Sequence, residues 1–316
     1  MPQENFMTQL LTRNGAPLSR LTFGTMQFGG KADIDQSRLM FERARLSGVN
    51  HFDTAVGYNG GASEKILGAF IKEDRDDIFV ATKVGYLGGA SKNNILQHFE
   101  TCKQQLNEDA VDLLYMHRFD DETPLEETFE TLSELQSAGA IRYIGVSNYA
   151  AWQILKAQNI AKSMSTKIDV VQPMYSLVKR QAEVEIIPAC EDQGIKVIPY
   201  SPLGGGLLTG KYATGGTGRL TEDARYKARY DQSWMHEAAV ELSLMAAGID
   251  TDPATLAVAW VAAHQAKLSP IISARSEEQL LPSLAAEEFQ ITPEIYDEIT
   301  ALSTTPTPAT DRLEEA

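Results

Sequence analysis

The 316-residue sequence predicts an α/β fold of the (β/α)8 TIM barrel class, entered through an N-terminal β-hairpin. Three observations carry this expectation. From Leu21 onward, short apolar segments alternate with stretches of helical periodicity; eight such strand segments can be counted; and the length suits one barrel with insertions. Strand–helix alternation demands parallel strands, because a parallel pair needs a crossover that a tight turn cannot provide.

The elements follow in order. Apolar and polar residues alternate on both sides of Arg13-Asn14-Gly15, and Asn-Gly readily takes the positive φ of a tight turn, so a short hairpin is expected there, placed to plug one end of a barrel. Strands are expected at 21–24, 49–53, 78–83, 111–117, 141–147, 168–172, 196–200 and 270–273. Between them, 34–46, 63–70, 95–106, 125–138 and 184–190 place apolar residues at helical spacing. The whole chain, 1–316, reads as one domain. Two regions break the rhythm. Residues 201–232 hold seven of the glycines, and a glycine-dense stretch of that length in a compact domain is expected to be a functional, closing loop. From Ser303 the chain turns to Pro, Thr and charge, which leaves little to pack and predicts a loosely ordered tail.

Composition narrows the function. With 43% hydrophobic residues there is ample material for a core, and a net charge of −15 argues against a partner held by its phosphate backbone, so no nucleic acid is expected. Cys102 and Cys190 form no C-x-x-C pair, so neither disulfides nor a zinc site is predicted. Only His117 of the five histidines ends a strand, which speaks against a metal-dependent barrel; no metal is expected. The start MPQENFMTQLL lacks the basic and apolar regions of an export signal, and nowhere do about 18 apolar residues run together. A cytoplasmic protein with no membrane partner is expected.

Four residues stand at or just past the carboxyl ends of successive strands: Asp53, Tyr58, Lys83 and His117. A barrel assembles its site on that face. Singly, each has a plain structural role: a turn cap, a half-buried aromatic, a snorkelling lysine, a core histidine. Together they supply what carbonyl reduction needs. Hydride addition leaves negative charge on oxygen, which must be protonated or stabilised. The Tyr58 phenol can give that proton, and an adjacent Lys83 ammonium is expected to lower its pKa. Asp53 would hold Lys83 charged and oriented, and His117 would donate a hydrogen bond to the carbonyl oxygen.

The stretch HFDTAVGYNGGASEKILG, residues 51–68, resembles the aldo-keto reductase signature around its aspartate and tyrosine, and VATKVG and LLYMHRFD resemble the segments holding its lysine and histidine. The resemblance continues through IRYIGVSNY, VVQPMYSLVKR, IPYSPLGGGLLTGKY and SARSEEQL. It implies a nicotinamide-dependent oxidoreductase acting on an aldehyde, ketone or sugar, with the four residues above as its catalytic set. Ser147, Asn148 and Gln172 match the positions that bind the nicotinamide carboxamide, and Tyr200 the ring that stacks on it. Gly24 and Thr25 match the turn that approaches the nicotinamide, while Ser201, Leu203, Gly205 and Lys211 match the pyrophosphate cover. Residues 205–211 also fit the G-x-x-x-x-G-K of nucleotide hydrolases, but Tyr212 replaces the required Ser or Thr.

The adenosine end departs from the best-known family pattern: Ser273 and Gln279 stand where a lysine and an arginine are usual, and Ser283 replaces an asparagine. Arg275 offers a substitute cation for a 2′-phosphate, so NADPH is expected over NADH. The substrate, a small carbonyl or alcohol, is expected against Met26, Phe28, Tyr86 and Arg118. Arg118 has two readings, a contact to a substrate hydroxyl or carboxylate and a salt-bridged scaffold residue. A second function class, a regulatory subunit sensing cofactor redox state like the family's potassium-channel β subunits, is the alternative to the enzyme. Oligomeric state, reaction direction and physiological substrate are not legible.

Overall fold

The computed structural model describes residues 8–312 and residue 314. Eight short strands alternate with helices: β1 (Thr22–Gly24), α1 (Ile34–Leu46), β2 (His51–Asp53), α2 (Ala62–Ile71), β3 (Phe79–Val84), α3 (Lys92–Leu106), β4 (Val111–Met116), α4 (Leu125–Ser137) and β5 (Ile141–Ser147). There follow α5 (Ala151–Ser163), β6 (Val170–Gln172), α6 (Ile186–Gln193), β7 (Lys196–Val197), α7 (Arg219–Glu222), α8 (Ala224–Tyr230), α9 (Ser233–Gly248), α10 (Pro253–Ala262), β8 (Ile271–Ile272), α11 (Glu277–Ala285) and α12 (Pro293–Ala301).

All strand pairs are parallel, in the order β7-β6-β5-β4-β3-β2-β1-β8. Beyond the last ladder, Tyr200 and Ile271 form a parallel bridge and the Ile271 N–H donates to the Pro199 carbonyl at 2.8 Å, joining the two edges. The curled sheet is consistent with a (β/α)8 barrel. Side chains alternate as a pleat requires: Phe79, Ala81, Leu113 and Tyr115 pack inside with Val170, Ile198 and Ile271, whereas Val80, Leu114, Met116 and Val171 pack outward under the helices. Tyr115 fits only because Gly145 on the neighbouring strand carries no Cβ; one there would overlap its ring. Helix starts are set by side chains that satisfy free N–H groups, Asp33 for α1, Ser91 for α3, Asp252 before Pro253 for α10 and Thr292 for α12, each worth about 1 kcal/mol.

The expected hairpin is present only as a tight turn. Among the described residues it makes one antiparallel bridge, Leu11 to Pro17, rather than a ladder, and the alternation on 1–7 lies outside the described residues. Leu10 and Leu18 nonetheless pack on the inner cluster and close that end. Two expected strands shorten because Pro199 and Pro270 lack the N–H a ladder needs. Residues 201–232 are not structureless: two 3-10 turns, Gly204–Thr209 and Lys211–Thr214, precede α7 and α8. Ser303 is buried and held by Arg180, 3.2 Å from its hydroxyl, and residues 304–312 form no helix or strand. Among the described residues no helix is long and apolar enough to cross a membrane.

Candidate active site

The strand register gathers the rim residues. Gly24 lies beside Asp53, Lys83 beside Tyr115, and Ser147 beside Gln172. Lys83 is an inward position of β3 and is fully buried. Its ammonium donates to Oδ1 of Asp53 and, at 2.7 Å, to the Thr54 carbonyl. Gln172 Nε2 donates to the other Asp53 oxygen at 2.8 Å. Burial pushes the Asp53 carboxyl up against the pull of Lys83, while for Lys83 burial works against the charge and Asp53 and Tyr58 outweigh it, so the ammonium is held above its ordinary range.

Tyr58 is set by a turn that only special backbone allows. Asn59, Gly60 and Gly61 follow it with φ of 50°, 64° and 90°, and a Cβ on Gly61 would run into Gln105. The Asn59 amide donates at 2.8 Å to the carbonyls of both Met26 and Phe28, which ties this turn to the loop after β1. The Lys83 nitrogen lies 5.2 Å from the Tyr58 ring centre. Here the balance differs from the expectation. Burial raises the phenol's pKa and Lys83 lowers it without reversing the sign, so the hydroxyl keeps its proton throughout the neutral range. A protonated phenol is the form an acid needs.

His117 follows β4, and its ring stands 5.9 Å from Tyr58, edge to face, and 5.0 Å from Tyr86. Burial, then the charges of Lys83 and Arg118, lower its pKa to about 3. The imidazole is therefore neutral, with one N–H to donate. Asn148 Nδ2 donates to the His117 carbonyl at 2.9 Å and to Ser147 Oγ at 3.1 Å, and its Oδ1 accepts from the Tyr200 hydroxyl at 2.7 Å. Ser147 in turn donates to the Gln172 carbonyl at 2.9 Å. One polar chain thus links Tyr200, Asn148, Ser147, Gln172, Asp53 and Lys83.

These groups open on a cavity of about 1310 Å³, walled by Asp53, Tyr58 and His117 and by Gly24, Asn148, Gln172, Tyr200, Ser201, Leu203, Gly205, Lys211, Ser273, Arg275 and Gln279. Lys83 lies beneath its floor. At the far end Arg275 pairs with Glu222 at 2.9 Å, and Lys31 reaches the same carboxylate at 3.9 Å. Burial and then the neighbouring charge of Arg275 push the Lys211 ammonium down, Glu222 opposing and Arg219 adding to it. Three lining cations, Lys211, Arg219 and Arg275, against the Glu222 carboxylate fit phosphate groups, and the Ser273 hydroxyl is buried there without a partner. Ser201, Gly205 and Gly206 line the cavity here and take positive φ of 64°, 68° and 95°, the backbone form from which anion-binding turns are built.

The profile of the aldo/keto reductase family matches residues 20–304. The chain belongs to the aldo/keto reductase family. It is 34% identical, over 90% of its length and 92% of the relative's, to the "Uncharacterized oxidoreductase YrpG" of Bacillus subtilis (strain 168). It is 31% identical, over 92% of its length and 95% of the relative's, to a "Probable voltage-gated potassium channel subunit beta" of Oryza sativa subsp. japonica. With the versiconal hemiacetal acetate reductase of Aspergillus parasiticus it shares 28% identity over 89% of this chain and 92% of that one.

In this aldo/keto reductase some expected residues stand back from the cavity. Thr25 is buried, its hydroxyl 2.8 Å from Ser63 Oγ, and Ser147 lies under Asn148. Of the expected substrate wall, Met26, Tyr86 and Arg118 line the cavity. Phe28 does not: it is fully buried, 5.6 Å from Phe23 and 6.1 Å from Phe70, because the residue two places on from Met26 turns into the core under α1 and α2. Sequence reasoning missed Asn59, Glu222, Tyr226 and Arg229. Asn59 gave a signal, as an Asn-Gly-Gly run beside the tyrosine; Glu222 acts through Arg275, 53 residues away, and Tyr226 and Arg229, which meet each other on α8, lie in a stretch that offered no motif.

Proposed function

We propose that this aldo/keto reductase reduces aldehyde or ketone carbonyls, or oxidises the corresponding alcohols, with NADPH or NADP+ as its redox partner and Tyr58 as proton donor. The observation that carries the reading is the convergence of a protonated Tyr58, a neutral His117 and the buried Lys83–Asp53 pair on one end of a single cavity. A bound nicotinamide would supply the hydride. Tyr58 would then give its proton to the developing oxyanion, and the Lys83 ammonium beneath it would stabilise the phenolate left behind. His117 would donate its single N–H to the same oxygen and set the carbonyl's position. Asn148 and Gln172 would hold the carboxamide, Tyr200 would present its ring to the nicotinamide, and Lys211, Arg219 and Arg275 would meet the phosphates.

Arg275 favours NADPH because a planar guanidinium matches a 2′-phosphate. The catalytic set also bears on the second reading suggested by the relatives named as potassium-channel β subunits. A regulatory sensor needs cofactor binding, whereas a complete proton-donating group serves turnover. The test is a panel of aldehydes, ketones and sugars offered with NADPH and with NADH, in the presence of a chelator. Oxidation of NADPH by one class of carbonyl supports the enzyme; tight NADPH binding with no turnover across the panel would leave the sensor.

A further inference from the structure

Arg118 follows His117 and is exposed at the mouth of the cavity, its guanidinium 5.1 Å over the Tyr86 ring. Among the described residues it has no carboxylate partner, so the scaffold salt bridge that would explain a strand-end arginine is absent. The aromatic face steadies the guanidinium and leaves its N–H groups free. A second guanidinium lining the cavity, Arg229 on α8, is likewise without a carboxylate and rests 5.6 Å over Tyr226. The acids of the cavity are engaged elsewhere: Asp53 with Lys83, Glu222 with Arg275, and Asp252 capping α10. Arg225, which also lines the cavity, is answered by Asp223 at 2.8 Å, so in a chain of net charge −15 Arg118 and Arg229 still stand in the cavity lining without a carboxylate.

Resting on the reductase reading above, we propose that the preferred substrate is a short aldehyde or ketone carrying an anionic group, a carboxylate or a phosphate, which Arg118 holds while its carbonyl sits between Tyr58 and His117. Two features fix the class. Arg118 is next in sequence to the residue that positions the carbonyl oxygen, so the anion lies within one arginine side chain of the reacting carbon, and a spacer of a few atoms suffices. The guanidinium fork, rather than an ammonium, suits a planar carboxylate or a phosphate face held through two N–H groups. The Arg118 charge also helps keep His117 neutral, so filling the site with an anion couples the substrate's far end to the group that holds its carbonyl.

The test compares three para-substituted benzaldehydes of similar shape with NADPH: 4-formylbenzoate, 4-formylphenyl phosphate and the neutral 4-formylbenzamide. The proposal expects kcat/KM for at least one anion to exceed that of the amide by roughly 10-fold at low salt, and the advantage to shrink as ionic strength rises. The better of the two anions identifies the group. In Arg118→Gln the ratio of anion to amide should fall by about the same factor, and Arg118→Lys should restore part of it, since it keeps the charge and loses the fork. Calorimetric titration of the NADP+-loaded protein with terephthalate should show the same loss in Arg118→Gln. Equal kcat/KM for anion and amide in the wild type, or an unchanged ratio in Arg118→Gln, overturns the anion site and leaves the reductase reading standing. No turnover of any of the three, with NADPH bound, overturns the reductase reading and the inference with it.

Discussion

The Lys83 ammonium donates to Asp53 Oδ1 with side chains only 1% and 4% exposed. A buried pair of this kind adds little net stability when whole, but removing one partner strands the other charge, at about 3–5 kcal/mol. Lys83→Met should therefore lower the unfolding temperature markedly, with Asp53 recovering part of the loss by taking up a proton. Adding Asp53→Asn should restore stability without restoring turnover. A Lys83→Met protein as stable as the wild type would show that the pair is not desolvated as described. Thermal unfolding of the two variants makes the comparison.

Arg275 is the second cation whose partner matters. It pairs with Glu222 across the far end of the cavity, with 27% of its side chain exposed. Arg275→Ala should weaken NADPH binding roughly 10-fold while NADH, lacking the 2′-phosphate, binds almost as before. Glu222→Gln should act in the opposite direction, because it frees the guanidinium from its competitor. Titration of both cofactors into both variants reads this out. An equal loss for NADPH and NADH in Arg275→Ala would make the residue a support of the adenosine pocket rather than a reader of the phosphate.

Residues 201–232 carry Lys211, Arg219 and the Glu222 that reaches across to Arg275, so they cover the cavity from α7 and α8. Saturation with NADPH should slow amide exchange across this segment, since the phosphates would fasten cations that otherwise repel one another. Exchange unchanged by cofactor would contradict closure of the cover, and would leave the catalytic assignments untouched.

Stability should also fall in acid through a histidine outside the site. His51 is buried, bonded through Nδ1 to Thr22 Oγ1 at 2.9 Å, and its pKa is lowered to about 3 by burial and then by Lys83 and Lys196. Its neutral form is the folded form. Above the unfolded value near 6.5 the contribution is complete. Below it the unfolded chain gains a proton that the folded one refuses, so stability is lost as pH falls from about 6.5 towards 3, at up to about 1.4 kcal/mol per pH unit. His117, whose pKa is lowered to about the same value, should add an effect of the same sign over the same range. His51→Asn should make the dependence of unfolding free energy on pH shallower between pH 6 and 4; an unchanged slope would argue that His51 titrates normally.

The fold was legible where pattern alone decides it. β5 begins and ends where the apolar run does, and α1 spans its periodic segment. Legibility failed where a backbone partner was missing, as at Pro199 and Pro270, or where glycines at positive φ build turns from a stretch that reads as formless, as in Gly204–Thr209. The rim residues could be picked out because each stands at or just past the carboxyl end of a strand. Phe28 could not be told from Met26 by spacing, since the loop after β1 follows no period. Neither could the sign of the Tyr58 shift be read from neighbours alone: Lys83 was visible as a charge, but the burial that outweighs it is a property of the packed site. The Arg275–Glu222 pair, 53 residues apart, leaves no local trace at all.

Single-turnover reduction by Tyr58→Phe tests the central assignment most directly. The substitution keeps the ring against His117 and deletes only the hydroxyl. With NADPH affinity measured in parallel, the account predicts cofactor binding close to wild type and a rate of carbonyl reduction lower by at least about 100-fold, the low end for a lost general acid. A Tyr58→Phe protein that binds NADPH and reduces the same carbonyl at near the wild-type rate would contradict it.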